Sequence, residues 1–212
     1  MKKKIIVDVL MFILMLLEFS RGYMKPLFHE IFGIALLILV NIHLILNRSY
    51  FKTLFKGKYN LKKPIIVIIN AGFMITFVLS MIFGLLSSQD LLKFINIGNL
   101  KIIELHKILA YISLIFMGLH LGINFNAMFG KLNNKIKNKI IIYIIDLIIV
   151  IIGVYSFISL DILKHITGEF GFSISEGNII INIIKYLSIV MMLAIIMNKI
   201  YGYKRKENKN ER

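Results

Sequence analysis

The chain contains no cysteine, and this absence excludes several kinds of chemistry. Iron–sulfur clusters, disulfides, thiol nucleophiles and thioether-linked haem all need a cysteine sulfur. The sequence also has no glycine-rich loop of the type that binds a dinucleotide or a nucleoside phosphate. A soluble reductase domain is therefore excluded from these 212 residues.

Proline is almost as scarce, since only two occur, and this leaves little room for long proline-rich linkers. Hydrophobic residues, in contrast, make up 58% of the chain, and the mean hydropathy is +0.81. A soluble domain of this size has too small a core to bury so much apolar surface. The composition therefore predicts a protein of the lipid bilayer.

The apolar residues fall into runs of about 20, the length that crosses the hydrocarbon layer as a helix. The six predicted spans are 5–22, 27–47, 65–87, 102–124, 140–160 and 178–200. The first resembles a secretory signal but lacks a small-x-small cleavage site, so we expect it to remain as a helix. The predicted fold is all-α, with six transmembrane helices, four of which form a bundle.

Positive charge is concentrated on alternate connections. Nineteen of the 26 Lys and Arg residues lie in the N-terminus, the 48–64 and 127–139 loops and the C-terminal tail. Such an excess marks the cytoplasmic side, so both termini are predicted to be cytoplasmic in a multi-pass protein of the cell membrane. The net charge of +15 then faces anionic lipid rather than nucleic acid. Four aromatic residues of the first loop suit a segment lying on the membrane surface: Tyr50, Phe51, Phe55 and Tyr59.

Four of the five histidines share one spacing. His29 and His43 lie on the second predicted span, His106 and His120 on the fourth, and each pair is 14 residues apart. Fourteen residues are close to four helical turns, so both histidines of a span point to one face, about 21 Å apart. Because the two spans run in the same direction, His29 and His106 should lie near the outer surface, and His43 and His120 near the inner surface.

Two imidazoles that face each other across a helical bundle can hold one porphyrin iron between them. The histidines therefore predict two non-covalent b haems, one in each leaflet, with His29 and His106 on one iron and His43 and His120 on the other. The alternatives are that they are polar packing residues or belong to a proton path. Ionisable side chains within a span are costly enough that a functional role is the first expectation.

Several neighbouring residues are candidates for contact with haem. Asn47 and Asn124 each follow a histidine by four positions, so each amide either orients the imidazole or approaches a propionate, or simply ends its helix. Gly33 follows His29 by four and offers space for a flat ring, or for close helix contact. Arg21 is placed to neutralise a propionate near the outer surface, or to anchor the chain at the interface. His165 has no partner at matching spacing and is predicted to be an exposed loop residue.

An internal repeat accompanies the histidines. A shift of 77 places residues 27–47 on 104–124, with all four histidines in register. A shift of 62 places Asp8 on Asn70 and Gly22 on Gly84. Residues 1–126 are therefore interpreted as a duplicated two-helix unit that binds the haems, and residues 127–212 as two further spans with a basic tail.

The segments Phe28-His29-Glu30-Ile31-Phe32-Gly33 and His43-Leu44-Ile45-Leu46-Asn47, with Leu105-His106-Lys107 and His120-Leu121-Gly122-Ile123-Asn124, resemble the flavinylation-associated cytochrome family. The resemblance covers the first four spans. It implies a di-haem membrane subunit, an electron carrier rather than a stand-alone enzyme, that exchanges electrons with an extracytoplasmic protein bearing covalent FMN. Membrane quinone is a further candidate partner. The alternative is the cytochrome b anchor subunit of a quinone-linked or ferric-reductase-like oxidoreductase, since these share similar histidine spacing.

Overall fold

A computed structural model describes residues 2–54, 62–135, 138–169 and 177–210, and every regular element in these ranges is helical. The α-helices are α1 (Lys2–Glu18), α2 (Pro26–Leu46), α3 (Arg48–Leu54), α4 (Lys62–Leu86), α5 (Leu100–Lys135), α6 (Lys139–Ser159), α7 (Ile162–Thr167) and α8 (Ile179–Asn210). Two short 3₁₀ turns lie at Arg21–Tyr23 and Lys93–Ile95.

Five helical segments in the described ranges are long and apolar enough to cross a membrane: Pro26–Leu46, Lys63–Leu86, Leu100–Asn124, Lys139–Ser159 and Ile179–Tyr201. Many of their large apolar side chains are exposed, as expected of helices that face lipid. The helices are thus of the type found in multi-pass membrane proteins. The remaining predicted span, 5–22, corresponds to α1. This helix has 17 residues and ends at Glu18 instead of continuing to residue 22.

Two connections differ from the sequence-based expectation. Helix α5 continues to Lys135, although residues 127–139 were predicted to be a loop. Because no proline interrupts this polar stretch, the backbone hydrogen bonds of the helix continue past its apolar part. The predicted 161–177 loop contains α7, which ends at Gly168 in the left-handed conformation that favours glycine.

Part of the predicted interfacial segment is described. Tyr50 and Phe51 lie on α3, with ring centroids 5.6 Å apart. Phe55 and Tyr59 lie outside the described residues, as do residues 170–176 of the predicted outer loop.

The described helices belong to two compact units. The first unit contains α1 to α3, α4 from Leu79, α5 as far as His106 and α8 as far as Ile184. In it α1 packs along α2, and a buried hydrogen bond runs from Asn182 Nδ2 to Ser20 Oγ at 3.2 Å.

The second unit contains α4 as far as Val78, the rest of α5, α6, α7 and α8 from Lys185. Its central helix is α8, whose Ala194 and Ile195 are almost completely buried. Glycines let α8 approach its neighbours: a Cβ at Gly122 of α5 would lie 2.6 Å from Ala194 O, and one at Gly153 of α6 would lie 2.8 Å from Ser188 O. Gly122 therefore serves helix contact with α8.

The face that carries the histidines is buried midway along both helices. Leu36 lies seven residues from His29 and from His43, and it is 1% exposed. Ser113, midway between His106 and His120, is 2% exposed. In a helix of 3.6 residues per turn, a spacing of seven keeps residues on nearly the same face. The 14-residue spacing thus follows an inward face on α2 and on α5.

Candidate functional site

His29 of α2 and His106 of α5 lie side by side in the first unit. Their ring centroids are 6.0 Å apart and the ring planes are inclined by 72°. Imidazole nitrogens bind a first-row metal ion at about 2 Å, so two rings on opposite sides of one metal ion have centroids roughly 6 Å apart. The separation of the two rings therefore fits axial ligands of a single iron.

The other nitrogen of His29 contacts a carboxylate of α1. Its Nδ1 lies 2.8 Å from Glu18 Oε2, and both side chains are largely buried. The contact has the distance of an ion pair, although the ring N–H is not aligned with the oxygen as a hydrogen bond requires. The second carboxylate oxygen of Glu18 is buried with no hydrogen-bond partner in the described parts of the chain. A buried carboxylate oxygen of this kind requires a partner, such as a water molecule or a bound group.

His106 is held by the backbone of α4. Its Nδ1 donates to the carbonyl oxygen of Ser80 at 2.8 Å, and Ser80 Oγ donates to the carbonyl of His106 at 3.2 Å. Gly84, one turn further along α4, packs against the imidazole: a Cβ there would lie 3.0 Å from ring atoms Cε1 and Nδ1. The two contacts fix the position of the ring between α4 and α5.

His43 also contacts a carboxylate of α1, one that lies ten residues before Glu18. Its Nδ1 donates to Asp8 Oδ1 at 2.6 Å. Asn47, at the end of α2, donates through Nδ2 to the carbonyl of His43 at 2.9 Å and accepts from Lys4 Nζ at 3.2 Å. Asn47 Nδ2 also lies 3.3 Å from His43 Nδ1 and 3.4 Å from His43 Nε2, so Asn47 and Asp8 both contact the imidazole.

His120 lies in the second unit and is oriented by a side chain of α4. Its Nδ1 donates to Asn70 Oδ1 at 2.8 Å, and the ring of Phe73 lies 5.6 Å away between centroids. Asn124 donates to the carbonyl of His120 at 3.0 Å, as Asn47 does to His43. The two asparagines occupy equivalent places, and neither is the acceptor for an imidazole Nδ1.

All four histidines thus have Nδ1 against an oxygen of the preceding long helix. Nδ1 of His29 lies at ion-pair distance from Glu18, and Nδ1 donates to Asp8 in His43, to the Ser80 carbonyl in His106 and to Asn70 in His120. An imidazole that donates through Nδ1 carries its lone pair on Nε2, the atom that binds a metal. Ligating histidines in proteins typically have such an acceptor on their other nitrogen. In a ring whose Nδ1 donates, Nε2 is the nitrogen that could bind a metal.

The acceptors follow the internal repeat, and sequence reasoning missed their role. A shift of 62 places Asp8 on Asn70 and Glu18 on Ser80. The match of Asp8 with Asn70 was visible in the sequence, but nothing there connected either residue with a histidine. For Ser80 the acceptor is a main-chain oxygen, which no residue type reveals.

Gly33 and Arg21, the two remaining candidates for contact with haem, both lie near Glu18. A Cβ at Gly33 would lie 3.7 Å from Glu18 Oε2, an ordinary contact distance, so Gly33 leaves space beside that carboxylate. Arg21 is exposed in the turn after α1, where its charge acts on Glu18.

His165, which the sequence predicts to be an exposed loop residue, lies on α7. It is a half-buried residue of α7, its Nδ1 donates to Asp161 O at 2.9 Å, and its ring lies 4.3 Å from that of Tyr111. Tyr111 in turn is 3.0 Å from Tyr186 between hydroxyl oxygens. His165 thus belongs to a small aromatic cluster of the second unit.

In the described parts of the chain, no three histidine, aspartate or glutamate side chains come together to hold a bare metal ion. A porphyrin iron needs only two protein ligands, one on each side, which is what the His29–His106 pair offers. Comparisons with protein-family models, curated proteins and solved structures found no match to this chain.

Proposed function

We propose that the protein carries electrons across the cell membrane through two b haems, each held by two histidines. The observation that carries the proposal is the His29–His106 pair, two rings at the separation that one iron requires, each with Nδ1 against an oxygen. When bound, each haem supplies a centre that takes up and releases one electron.

The second pair is proposed from the repeat. His43 and His120 occupy places equivalent to His29 and His106, 14 residues further along α2 and α5. Each has its own acceptor for Nδ1, Asp8 in one case and Asn70 in the other. We therefore assign His43 and His120 to a second iron near the inner surface, in a protein of six spans with both termini in the cytoplasm.

The roles of the chain's own residues are ligation, orientation and exclusion of water. The imidazoles bind through Nε2, and the acceptors on α1 and α4 fix the tautomer and the ring direction. Leu36 on α2 and Leu114 on α5 are each buried within their own unit, where they exclude water. The chain supplies no substrate chemistry in this proposal, and it functions as the electron-carrier subunit of an oxidoreductase system.

The extracytoplasmic partner follows from the family resemblance. We propose an FMN-bearing protein that docks at the outer surface, where the 88–101 connection lies. In that connection Phe94 and Leu100 are each more than 80% exposed. Membrane quinone is the candidate electron donor or acceptor on the other side.

The first experiment is haem quantitation with reduced-minus-oxidised spectra of the purified protein. We expect two haems b per chain, extractable by acid acetone because no cysteine is present to link them. His29→Ala and His106→Ala should remove the same low-spin haem, and His43→Ala and His120→Ala the other. His165→Ala is the matched control and should leave both. A stoichiometry below two, or loss of one haem in both His29→Ala and His43→Ala, would contradict the proposed pairing.

A second experiment separates a transmembrane carrier from an anchor subunit that works on one surface. In sealed proteoliposomes with the protein reduced, an impermeant oxidant added outside should oxidise both haems, the outer one first. His43→Ala should retain fast outer oxidation and lose electron entry from a donor inside. If no electron crosses vesicles whose protein holds both haems, the anchor function replaces the carrier function.

A further inference from the structure

The acceptors that contact the four histidines differ in charge between the two halves of the repeat. On α2, both histidines face carboxylates of α1: Glu18 contacts His29, and Asp8 contacts His43. On α5, both histidines face neutral oxygens of α4, the carbonyl of residue 80 and the side-chain amide of Asn70. Each iron of the proposed pairs would therefore have one histidine of each kind.

Both carboxylates lie on an apolar helix, and Glu18 is the more buried of the two. Asp8 and Glu18 are ten residues apart on α1, whose other residues from Ile5 to Leu17 are apolar. The Glu18 side chain is 13% exposed and the Asp8 side chain is 42% exposed. Acidic side chains in such helices are expensive and mark function. The ion-pair partner of each carboxylate in the structure is a proposed iron ligand.

A carboxylate changes a histidine ligand more than a neutral acceptor does. A hydrogen bond to an ionised acceptor is about twice as strong as one between neutral groups. The contact of His43 Nδ1 with Asp8 Oδ1 is 2.6 Å long, and the corresponding contacts of His29, His106 and His120 are each 2.8 Å long. A carboxylate acceptor increases the basicity of the imidazole, and the more basic ligand favours ferric over ferrous iron.

We infer that α1 provides each of the two haems with one strongly donating histidine, so that Asp8 and Glu18 are positioning residues that lower both reduction potentials. This inference rests on the proposed function. It assigns a role to α1 although that helix contributes no ligand. The negative charges of α1 affect both proposed haems, because Asp8 acts on one through His43 and Glu18 acts on the other through His29.

The test is a redox titration of the purified protein in which the carboxylate is removed, added and exchanged between the repeats. Asp8→Asn keeps an oxygen acceptor for His43 and removes its charge. We expect the midpoint potential of the His43 haem to rise by the equivalent of roughly a tenfold change in its redox equilibrium, about 59 mV for one electron. Asn70→Asp should lower the same potential, and the double variant Asp8→Asn/Asn70→Asp should return it close to the wild-type value. Glu18→Gln should raise the potential of the other haem.

One control separates the contact from general charge. Glu104→Gln removes an exposed negative charge two residues before His106, and we expect it to change the potentials less than Glu18→Gln does. Electron paramagnetic resonance of the ferric protein gives a second readout, because the g values of a bis-histidine haem respond to the donor strength of its ligands.

The outcomes distinguish the inference from the function on which it rests. A wild-type protein without haem contradicts the proposed function. A protein that holds two haems whose potentials and g values are the same in Asp8→Asn, Asn70→Asp and wild type overturns the inference alone. An equal shift in Glu104→Gln and Glu18→Gln also overturns it. If Asp8→Asn does not fold, Asn70→Asp still decides the question, because it adds a carboxylate and removes none.

Discussion

The hairpin of α1 and α2 and the hairpin of α4 and α5 carry histidines at the same spacing but support them differently. In α2 the buried residue is Leu36, and both histidines contact carboxylates of α1. In α5 a stripe at four-residue spacing is buried, including Leu114, Gly118 and Gly122. A repeated histidine pattern can thus be accompanied by charged contacts in one copy and by close packing in the other.

The largest difference between the hairpins should come from adding a methyl group to a glycine of each. In Gly122→Ala the new Cβ would lie 2.6 Å from both Ala194 O and Met197 Cβ. Backbone atoms there cannot move aside easily, so we expect a loss of about 1–3 kcal/mol. In Gly33→Ala the nearest atom outside its own helix is Glu18 Oε2 at 3.7 Å. That variant should be neutral or stabilising, since alanine favours a helix by roughly 1 kcal/mol over glycine.

Thermal unfolding in detergent measures the two glycine variants. If Gly33→Ala lowers the unfolding temperature as much as Gly122→Ala, the space around each glycine does not determine the stability of its alanine variant. Gly118→Ala should resemble Gly122→Ala, because its Cβ would lie 2.6 Å from Leu193 Cβ.

A second difference lies beside the outer histidines, where α2 has Glu30 and the equivalent position of α5 has Lys107. The Glu30 carboxylate accepts from Ser88 Oγ and from the backbone amides of residues 89–91, at distances of 2.6–3.3 Å. Hydrogen bonds to a charged group contribute about 1.5–3 kcal/mol each. Glu30→Gln should therefore speed amide exchange of residues 89–91 by roughly tenfold or more.

Hydrogen exchange with mass spectrometry measures this loop directly. Glu104→Gln, which also removes one acidic charge from the first unit, is the control and should leave the exchange of residues 89–91 unchanged. Equal protection in wild type and Glu30→Gln would show that the carboxylate does not fix the connection.

The smallest loss of stability is expected at the asparagines that follow the inner histidines by four residues. Asn47 and Asn124 donate to histidine carbonyls at 2.9 and 3.0 Å, so Asn47→Ala and Asn124→Ala should each cost about 1 kcal/mol and retain both haems. Asn47→Ala should cost slightly more, because Asn47 also accepts from Lys4. Haem content and thermal unfolding measure both variants. Loss of a haem in either variant would show that the asparagine is needed for haem binding.

Much of the helix content could be predicted from the sequence. The predicted spans 27–47, 65–87, 140–160 and 178–200 begin and end within a few residues of α2, α4, α6 and the apolar part of α8. A run of about 20 apolar residues has few alternatives to a helix in lipid, because every backbone group needs a partner within the segment. The ends were less predictable where polar residues continue a helix, as in α5.

Part of the candidate site could also be predicted from the sequence, and part could not. The sequence identified the four histidines, because their equal spacing on two parallel repeats is a local property of the helix. It suggested that Asn47 and Asn124 orient an imidazole, approach a propionate or end their helices, and it did not reveal that Asp8 and Asn70 contact the inner two rings. Spacing of four along one helix is visible in a sequence, whereas a contact between α1 and α2 spans 35 residues.

By itself, the sequence determined that the chain forms apolar helices and that two of them carry histidines on one face, since both follow from residue type and helical period. Only the tertiary structure decided what meets each Nδ1. For His106 the acceptor is the main-chain oxygen of Ser80, an atom that every residue has, and its place depends on how closely α4 approaches the imidazole at Gly84. For His29 it is Glu18, whose carboxylate reaches the ring because α1 and α2 pack along each other. Local periodicity fixes which side chains share a helix face, but helix packing fixes which atoms come within hydrogen-bond distance.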